Sequence, residues 1–392
     1  MRFLITASFI FTVSQSFSQF TAKIWDNTIG GANNDYLRDA IPTADGGYLL
    51  AGESASAIGY DKTQPCKGSY DYWIIKLNES GSVIWDRTIG SAEYDHVSAT
   101  AQGSDGNYLI VGNTTAGISG DKSEASMGLS DYWLLCLDPL GNIIWQNAIG
   151  GSGDDVPTDV ISVPGGYIVG GYSTSGISGD KTIASYGGQD FWLMKINLSG
   201  NIVWQFAYGG SVNDRLWKIK KLLDGSYVLA GDSESGISGV KTVPNYGLRD
   251  LWFIKIGGGG SVLWQQDFGS ASYDYLGDIL EMEDGGFMVA SYSSGNITGI
   301  KTELSANIWS SCCDYGIGEG SWSDVNDTWL LRLNEMGELI WDNTYQDVYS
   351  NKNKVIFSSA PDRYCIAGDE WMDESPEPLT LETFNEDGYR IY

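Results

Sequence analysis

Five short segments of the sequence carry a lysine behind a glycine-rich turn, a composition similar to that of a phosphate-binding loop. They read ASAIGYDK, AGISGDK, SGISGDK, SGISGVK and SGNITGIK, and end at Lys62, Lys122, Lys181, Lys241 and Lys301. A phosphate loop leads into a helix whose N-terminus faces the anion, whereas these segments lead into strand-like runs such as YWLLCL. An Asp or Val also intrudes before Lys122, Lys181 and Lys241. The context favours a structural loop instead.

In that structural interpretation the isoleucine at the centre of each segment pins the loop onto a sheet, and the lysine bonds an Asp or a carbonyl. The isoleucines are Ile58, Ile118, Ile177, Ile237 and Ile297.

Two columns of aspartates recur with the same spacing. One opens each repeat, at Asp35, Asp95, Asp155, Asp214 and Asp274, and the other precedes a later strand, at Asp71, Asp131, Asp190, Asp250 and Asp327. Repeated carboxylates are suited to Ca²⁺, which takes oxygen ligands, so the first column is a weak candidate metal site. An Asp at a loop end more often accepts backbone N–H bonds, and no DxDxDG spacing is present. A structural role is therefore the favoured hypothesis for both columns, and no cofactor is expected beyond this possible calcium.

Catalytic residues are sparse. The chain has one histidine, His96, and its arginines share no repeat position, so neither a Ser-His-Asp arrangement nor an arginine cluster of the sialidase type is indicated. A carboxylate pair remains possible for glycan chemistry. Asp39, Asp159 and Asp278, on the predicted inner strands, are the first residues to test in that alternative.

One segment breaks the repeat and is the stronger candidate for ligand binding. The insertion near 304–327 holds Trp309, Tyr315, Trp322 and Asp324 among Gly and Ser, beside Cys312 and Cys313. Aromatics of this kind suit contact with a sugar ring or a protein surface. A loop that only folds over the rim is the open alternative.

The composition limits the compartment and the partners. A formal charge of -27 argues against nucleic acid or an anionic membrane as a partner, since both would be repelled. The first 18 residues, with Arg2 before an apolar run, predict a signal peptide and a secreted, periplasmic or cell-surface protein. No later apolar run is long enough to span a bilayer.

The five cysteines do not form a metal-binding pattern. Cys136 and Cys365 lie in apolar runs and are predicted to be small core residues, while Cys312 and Cys313 either form a vicinal bridge or pair elsewhere. An odd number leaves at least one free or intermolecular thiol.

Tryptophans mark a repeat that organises the whole chain. The marker residues are Trp25, Trp85, Trp145, Trp204, Trp264 and Trp341, at intervals of 60, 60, 59, 60 and 77. Each unit reads as four short strands, with a two-residue Asp-Gly turn after the first and a glycine turn after the third. The aromatic and glycine content, with no sustained helical spacing, predicts an all-β fold.

Four antiparallel strands per repeat are typical of a β-propeller blade, with a linear β-solenoid as the alternative. Counting from the chain ends predicts one domain over 19–392, a six-bladed propeller. Its ring is closed by N-terminal and C-terminal strands that share the last blade, which would leave no open edge. In each blade the long loops and both aspartate columns are expected on one face.

The pattern W..TIGG, D, DGGY..AG.S.SGISGDK, DYW..K and G.I.W resembles the repeats of secreted bacterial proteins known as SBBP-type β-propeller repeats. The resemblance covers nearly all of the chain after the signal. It implies a secreted or surface propeller and carries over no catalytic residues. The expected function is a non-catalytic module or scaffold that binds a protein or glycan at the envelope or outside the cell, with a glycan-active hydrolase or lyase as the alternative.

Overall fold

The computed structural model describes residues 3–7, 25–295, 298–302, 327–345, 354–360, 363–368, 380–385 and 390–391. Within those ranges the chain forms strands and turns and contains no helix. The strands build six four-stranded sheets and one two-stranded sheet. The predicted all-β class, with repeated four-stranded antiparallel sheets, is confirmed.

Each four-stranded sheet is a meander of consecutive strands. Sheet 1 contains β3 (Asp35–Pro42), β4 (Tyr48–Ser54), β5 (Asp71–Leu77) and β6 (Val83–Ile89). Sheet 2 contains β7 (Asp95–Gln102), β8 (Tyr108–Thr114), β9 (Asp131–Leu137) and β10 (Ile143–Ile149). Sheet 3 contains β11 (Asp155–Val163), β12 (Gly166–Ser173), β13 (Asp190–Asn197) and β14 (Ile202–Tyr208). Sheet 4 contains β15 (Asp214–Lys221), β16 (Tyr227–Ser233), β17 (Asp250–Ile256) and β18 (Val262–Phe268). Sheet 5 contains β19 (Asp274–Glu281), β20 (Phe287–Ser293), β21 (Asp327–Leu333) and β22 (Leu339–Tyr345). Sheet 6 contains β23 (Lys354–Ala360), β24 (Arg363–Gly368), β25 (Thr380–Asn385) and β26 (Arg390–Ile391).

The second and third strands of a sheet are apolar on both faces because both faces are covered. Every residue of β5 and of β9 is buried. A strand buried on two sides reads as a continuous apolar run rather than an alternating one. This explains runs such as YWIIKL and YWLLCL.

The first strands share a β-bulge. In sheet 1 the register with the second strand shifts between Leu37 and Asp39, and the same shift occurs in sheets 2 to 5. A bulge bends its strand and re-aims the neighbouring side chains. Because the bulge adds one residue to the first strand, the alternation of side chains between the two faces of the sheet shifts at this point.

The turn after the first strand differs from the predicted two-residue Asp-Gly turn. In sheet 1 the Gly46 N–H bonds the Thr43 carbonyl at 2.9 Å, and the Thr43 N–H bonds the Gly47 carbonyl at 2.9 Å. Only Gly46 has a positive φ, at 81°, whereas Asp45 does not. This is a three-residue connection, a turn followed by a left-handed glycine. Asp45 instead accepts bonds from Thr43 and Gly47.

The described contacts divide the chain into two compact units, Met1–Ser185 with Phe191–Ala207, and Tyr186–Asp190 with Tyr208–Tyr392. In the first unit, Leu49 and Ile74 of sheet 1 pack with Trp133 and Leu135 of sheet 2 in one buried cluster. A second cluster joins sheet 2 to the first-unit part of sheet 3. In the second unit, one cluster joins sheets 4 and 5. Consecutive sheets within each unit therefore bury their apolar faces against each other.

Four of the marker tryptophans lie against the glycine turn of the following sheet, namely Trp25, Trp85, Trp145 and Trp264. The Trp145 indole donates to the Leu198 carbonyl at 2.9 Å, and Asn147 donates to the Gly200 carbonyl at 2.8 Å. In sheet 1 the Trp85 indole likewise donates to the Pro139 carbonyl at 3.0 Å. The repeated tryptophan is thus a contact between sheets, which is why its spacing follows the repeat.

The N-terminal strand pairs differently from the prediction. Strand β2 (Trp25–Ile29) pairs antiparallel with β1 (Phe3–Ala7). The C-terminal sheet draws all four of its described strands from residues 354–391, with β26 as the fourth. The expected shared blade of N-terminal and C-terminal strands is therefore not the pairing observed. The segment assigned to a signal peptide supplies the partner of β2 instead.

The contact between tryptophan and glycine generates a stability prediction. Gly200 has φ +82°, and a Cβ there would lie 2.9 Å from the Trp145 ring and 2.6 Å from the Asn147 amide. Gly106 has φ +85° with nothing within 4 Å of such a Cβ. Both Ala variants pay about 1 kcal/mol for the left-handed backbone. We expect Gly200→Ala to lose a further 1 to 3 kcal/mol, roughly, from the overlap.

Denaturant unfolding of the two variants measures this difference. If Gly200→Ala and Gly106→Ala lower the free energy of unfolding equally, the close packing of Trp145 on Gly200 does not contribute to stability.

Candidate functional site

The aspartates that open the sheets are buried and bonded by the chain itself. Asp35 accepts the Gly31 N–H at 2.6 Å and the Ser54 hydroxyl at 2.5 Å. Asp214 accepts the Gly210 N–H at 2.7 Å and the hydroxyls of Ser233 and Ser235. Equivalent bonds from the residue four positions earlier reach Asp95, Asp155 and Asp274. This geometry matches the structural interpretation of the column.

The second aspartate column is also buried, at the start of the third strand. Asp71 accepts the Lys67 N–H at 2.6 Å, and Asp190 accepts the Tyr186 N–H at 2.7 Å. Asp131 and Asp250 accept equivalent bonds from Met127 and Tyr246. Burial raises the pKa of Asp71, Asp131 and Asp250. The side chain of Asp327 lies outside the described residues.

No group of three or more His, Cys, Asp or Glu side chains that could hold a metal ion occurs in the described part of the chain. The carboxylates of the first column occupy separate sheets and are engaged by N–H and hydroxyl donors. A calcium ion would have to displace those bonds.

The lysines of the glycine-rich segments are buried beneath their own loops. Lys122 donates to the Ala116 carbonyl at 3.1 Å, Lys181 to the Ser175 carbonyl at 2.7 Å, and Lys301 to the Gly295 carbonyl at 2.9 Å. Burial lowers the pKa of Lys62 and Lys122. Lys241 lies against the Asp267 carboxylate, whereas Lys62 donates to the Thr88 hydroxyl at 2.6 Å. The prediction that the lysine bonds an Asp or a carbonyl is therefore confirmed for four of the five, Lys122, Lys181, Lys241 and Lys301. All five ammonium groups are buried, so they are not available to a phosphate.

The isoleucines of these segments do not pin the loops. The side chains of Ile58, Ile118, Ile177 and Ile237 are 63 to 70% exposed. The loop is held by its backbone instead, because the Asp121 N–H bonds the Gly90 carbonyl at 2.8 Å and the Asp180 N–H bonds the Gly150 carbonyl at 2.8 Å. The isoleucine lies at the tip of the turn so formed, which leaves it in solvent. Ile297 lies outside the described residues.

The remaining predicted residues divide into two groups. Asp39 accepts the Thr100 N–H at 2.7 Å and Asp159 accepts the Val160 N–H at 2.9 Å, while Asp278 is buried. They lie on three different first strands, each just after the bulge. Trp309, Tyr315, Trp322 and Asp324 of the insertion, with Cys312 and Cys313, lie outside the described residues. Cys136 is buried as predicted, Cys66 is half-buried, and the side chain of Cys365 is not described.

A cluster that the repeat pattern did not reveal lies at the long-loop end of sheets 1 and 2. We call it patch A. It consists of Tyr36, Arg38, Glu53, Tyr70, Tyr94 and His96. Tyr36 and Arg38 lie on β3, Glu53 on β4 and His96 on β7, while Tyr70 and Tyr94 directly precede β5 and β7. Antiparallel pairing brings the start of β3, the end of β4 and the start of β5 to one end of the sheet.

Glu53 is the centre of patch A. Its side chain is fully buried, and it accepts bonds from Arg38 at 3.0 and 3.2 Å, from the Val97 N–H at 3.1 Å and from the Tyr94 hydroxyl. The His96 Nδ1 lies 2.6 Å from the same carboxylate. Burial alone would raise the pKa of Glu53, but the bonds from His96 and Arg38 hold this pKa below its usual value. Glu53 therefore stays a carboxylate and fixes the residues around it.

Aromatic rings cover this carboxylate in a row. The ring centroids of Tyr36 and Tyr70 are 5.7 Å apart, and those of Tyr70 and Tyr94 are 5.1 Å apart. The His96 ring stacks on Tyr94 at 6.4 Å, and the Arg38 guanidinium lies 5.4 Å from the Tyr36 centroid. Tyr36 is 36% exposed and Tyr94 is 41% exposed. Patch A thus presents aromatic surface to solvent above a charged base.

The corresponding positions of sheets 4 and 5 hold a second cluster, patch B. It consists of Arg215, Trp217, Asp232, Glu234, Arg249, Tyr273 and Tyr275. In the repeat, Asp232 takes the place of Glu53, Arg249 that of Tyr70, and Tyr273 that of Tyr94. At the same three repeat positions, the pair of sheets 2 and 3 has Asn113, Ser130 and Asp154, in that order.

Two arginines and two acids organise patch B. Arg249 donates to Glu234 at 3.1 Å, and its guanidinium lies 5.1 Å from the Tyr275 centroid and 5.9 Å from that of Tyr273. Arg215 lies 3.6 Å from Glu234 and 3.7 Å from Asp232. Burial raises the pKa of Asp232 to about 6, against the bond from the Trp217 indole and the two arginines. The Tyr273 and Tyr275 rings stack at 6.3 Å.

Both patches combine partly exposed aromatic rings with ion pairs to buried carboxylates. Rings that are partly exposed offer contact area, and buried ion pairs hold them in place, which lowers the entropy lost on binding. Sequence reasoning missed the patches because their members are far apart in the chain and break the repeat columns. The signals present were the single histidine and the arginines that share no repeat position.

One buried ion pair also breaks the repeat, in sheet 4. The Lys241 ammonium lies 2.5 Å from the Asp267 carboxylate, and both side chains are buried. Sheets 1 to 3 have Thr88, Ala148 and Ala207 at the position of Asp267. Burial, with the nearby charge of Asp250 and against that of Lys241, raises the pKa of Asp267 to about 8.

Comparison with known proteins gives no family assignment, since no family model matches the chain. The chain is 26% identical over 227 residues to the regulatory protein FlaEY of Caulobacter vibrioides. This region covers 55% of the chain but 24% of that relative, so the chain spans about a quarter of its length.

Several solved structures align with the chain at low sequence identity. A protein of unknown function from Bacteroides caccae is 11% identical with a TM-score of 0.43, over 83% of this chain and 86% of that one. Hydrazine synthase of Kuenenia stuttgartiensis is 11% identical with a TM-score of 0.42, over 84% and 76% of the two chains. A subtype N11 neuraminidase-like protein of a flat-faced bat isolate from Peru is 8% identical with a TM-score of 0.41, over 91% and 84%.

Within the described ranges, no helix combines the length and the apolar composition that crossing a bilayer requires.

The bonding of the first aspartate column predicts the response to calcium. Because these carboxylates are buried and accept N–H and hydroxyl bonds, millimolar Ca²⁺ should move the melting temperature by less than about 1 °C. Thermal unfolding with Ca²⁺ and with a chelator measures the shift. A rise of several degrees that Asp95→Asn abolishes would show that the column binds the ion after all.

The Lys241–Asp267 pair predicts how stability depends on pH. The pKa of Asp267 in the folded chain, about 8, lies above the ~3.9 of an unfolded aspartate, so between these values the folded chain holds a proton that the unfolded chain has lost. The free energy of unfolding therefore falls as pH rises through this window. Asp267→Asn should make that slope shallower by up to about 1.4 kcal/mol per pH unit.

Denaturant unfolding at several pH values between 5 and 8, roughly that window, measures the slope. The exposed Asp105, changed to Asn, is the matched control and should leave it unaltered. An unchanged slope in Asp267→Asn would mean that this carboxyl is ionised throughout.

Proposed function

We propose that the chain is a secreted, non-catalytic β-propeller that serves as a binding or scaffold module at the bacterial envelope or outside the cell. In this proposal its four-stranded sheets are the six blades of a ring, and the long-loop ends present a surface to a glycan or a protein. The SBBP-type repeat pattern supports the assignment to exported propellers. The partner is a glycan or protein because a charge of -27 disfavours polyanions.

Removal of the signal peptide during export would change the pairing of β2. Cleavage after Ser18 would remove β1 and leave β2 with an unpaired edge. An unpaired edge invites association with another strand. The pairing of β2 would then differ between the precursor and the mature protein.

One observation carries the recognition role. The aspartate, lysine and tryptophan positions that build the scaffold keep their residue types from sheet to sheet, whereas several departures from the repeat lie together at the long-loop end, in patches A and B. A repeat that only stabilised a fold would have no reason to place exposed tyrosines and paired arginines there. Loops at one end of a rigid scaffold are the usual location of binding residues.

The enzymatic alternative has weaker support. Asp39 and Asp159 each use a carboxylate oxygen to accept a backbone N–H, and they lie on separate strands. A glycosidase needs two carboxyls facing one bond across a short gap. The alternative is tested with the same ligands as the binding role.

Binding to a glycan array and to isolated envelope fractions tests the proposal. The double variant Tyr70→Ala with Arg249→Ala removes one residue from each patch at the position before the third strand. We expect it to weaken binding at least about tenfold, since truncation of a central aromatic or arginine typically costs over 1 kcal/mol.

Ser130→Ala, at the same repeat position in sheet 2, is the matched control and should bind normally. Each bound glycan is also incubated with the protein and analysed for cleavage. Turnover that Asp39→Asn, Asp159→Asn or Asp278→Asn abolishes would replace the binding role with the enzymatic one.

A further inference from the structure

Lys241 and Asp267 of sheet 4 bring an amine and a carboxyl into contact at a buried position. Lys241 lies in the glycine-rich segment after β16, and Asp267 lies on β18. The Lys241 Nζ is 2.5 Å from the Asp267 Oδ2 and also donates to the Ser233 hydroxyl at 2.8 Å. Within the described chain, neither oxygen of Asp267 accepts a hydrogen bond of normal geometry. A buried carboxyl in this state needs an explanation beyond an ordinary ion pair.

The strand register places a third polar group, the Asp250 carboxyl, on the same face of the sheet. Asp267 pairs with Trp252 across β17 and β18, and Asp250 precedes Trp252 by two residues, so the two acids are diagonal neighbours. The Asp250 Oδ2 accepts the N–H groups of Tyr246 and Gly247, while its Oδ1 has no donor among the described residues. The two carboxyls lie within reach of a shared proton. Asp250 can therefore receive and return a proton at this site.

The surroundings favour the uncharged forms of the pair. An ammonium with a carboxylate holds the same number of protons as an amine with a carboxylic acid, and burial penalises the charged version. The Trp252 ring, buried and 5.5 Å from the Lys241 Nζ, helps to keep water out. Burial, with the nearby charge of Asp250 and against that of Lys241, raises the pKa of Asp267 to about 8. An uncharged amine is a nucleophile, and a protonated carboxyl can lose its hydroxyl as water.

The other sheets show that the buried lysine does not require an acid. The position of Asp267 is occupied by Thr88 in sheet 1, Ala148 in sheet 2 and Ala207 in sheet 3. Lys62 donates to the Thr88 hydroxyl at 2.6 Å instead. Placing a carboxylate at such a position costs desolvation that a hydroxyl or a carbonyl avoids. The acid of sheet 4 is therefore not explained by the need to satisfy the lysine.

We propose that Lys241 and Asp267 form an intramolecular amide bond that joins the glycine-rich segment to the fourth strand of sheet 4. The Lys241 Nζ attacks the Asp267 Cγ, a C–N bond forms, and the C–O bond to the protonated hydroxyl breaks. One water molecule leaves, and no oxidant, reductant or co-reactant is needed. Asp250 accepts a proton from the attacking nitrogen and gives one to the departing hydroxyl. This inference is independent of the recognition role.

Proximity makes the condensation feasible. Two groups that a fold holds in contact react as if one were present at roughly 10⁵ to 10⁸ M, which outweighs the excess of water that favours hydrolysis in solution. The bond would restrict the unfolded chain as a disulfide does. The ion pair is the state before this reaction. The pH dependence of stability predicted for Asp267 accordingly applies to chain that has not reacted, which its mass identifies.

Mass spectrometry of the purified full chain tests the inference. We expect the intact mass under denaturing conditions to be lower, by one water, than the mass calculated from the sequence of the purified chain. Trypsin does not cleave after an acylated lysine, so digestion should yield one branched peptide that contains both Lys241 and Asp267. Fragmentation of that peptide locates the link.

Variants separate the roles of the three groups. Lys241→Arg and Asp267→Asn should no longer lose water, whereas Lys181→Arg, the matched change in sheet 3, should leave the mass deficit in place. Asp250→Asn should slow the appearance of the branched peptide at least about tenfold in chain that is isolated unfolded and then refolded, because the proton carrier is missing. Cooperative thermal unfolding shows that each variant is folded.

Three results would overturn the inference. Folded chain that keeps its full mass after prolonged incubation across the pH window of the ion pair would show that the two groups do not react. A water deficit that persists in Lys241→Arg or Asp267→Asn would place the lost water elsewhere, for example in a succinimide at an Asp-Gly turn. A branched peptide that joins Lys241 to Asp250 would assign the bond to the wrong acid. The recognition role is tested separately by the binding assays.

Discussion

Buried carboxylates at the long-loop end are the constraint on which the rest of the structure depends. Asp35 and Asp71, at the starts of the first and third strands of sheet 1, each accept backbone N–H bonds from the turn four residues earlier, and their counterparts do the same in the following sheets. The glycine-rich segments add buried lysines, of which Lys122, Lys181 and Lys301 donate to carbonyls of their own loops. A long loop with its polar groups satisfied in this way has a fixed shape. The side chains at that end can then vary without disturbing the sheet.

The elements that recur were predictable from the sequence, because a repeat states the same physical requirement five times. The tryptophan period, the apolar second and third strands, the glycine turns and the structural role of the aspartates all follow from columns that share a residue type. The columns do not show whether a side chain points into the sheet packing or towards solvent. The isoleucines were expected to pack inward, yet Ile118 is at the tip of a turn whose backbone, not its side chain, attaches the loop. The pairing of β2 with β1 also escaped prediction, since it depends on a segment outside the repeat.

The patches escaped prediction for a related reason. Glu53, Tyr70 and Tyr94 lie on three different elements and meet only because the first strand of sheet 2 begins beside the third strand of sheet 1, where the Asp95 N–H bonds the Tyr70 carbonyl at 2.9 Å. These residues do not recur at their repeat positions, so a search for repeated residue types does not detect them. Residues that depart from the repeat columns indicate where this chain has features of its own. Val240 and Asp267 are departures of this kind in the buried part of sheet 4. Sheet 4 has Val240 where sheets 1 to 3 have an aspartate before the lysine, and it has a buried acid opposite Lys241.

The burial and the bonding of the acids in the patches bear on whether these residues could take part in catalysis. A general acid or nucleophile needs a carboxyl that is open to the substrate and has bonding capacity to spare. Glu53 is fully buried, and Arg38, His96, Tyr94 and a backbone N–H occupy it, which holds its pKa low. Asp232 has a pKa raised to about 6 but is buried beneath Trp217 and two arginines. Carboxylates in these settings orient their aromatic and cationic neighbours, which supports the binding role proposed for the two patches.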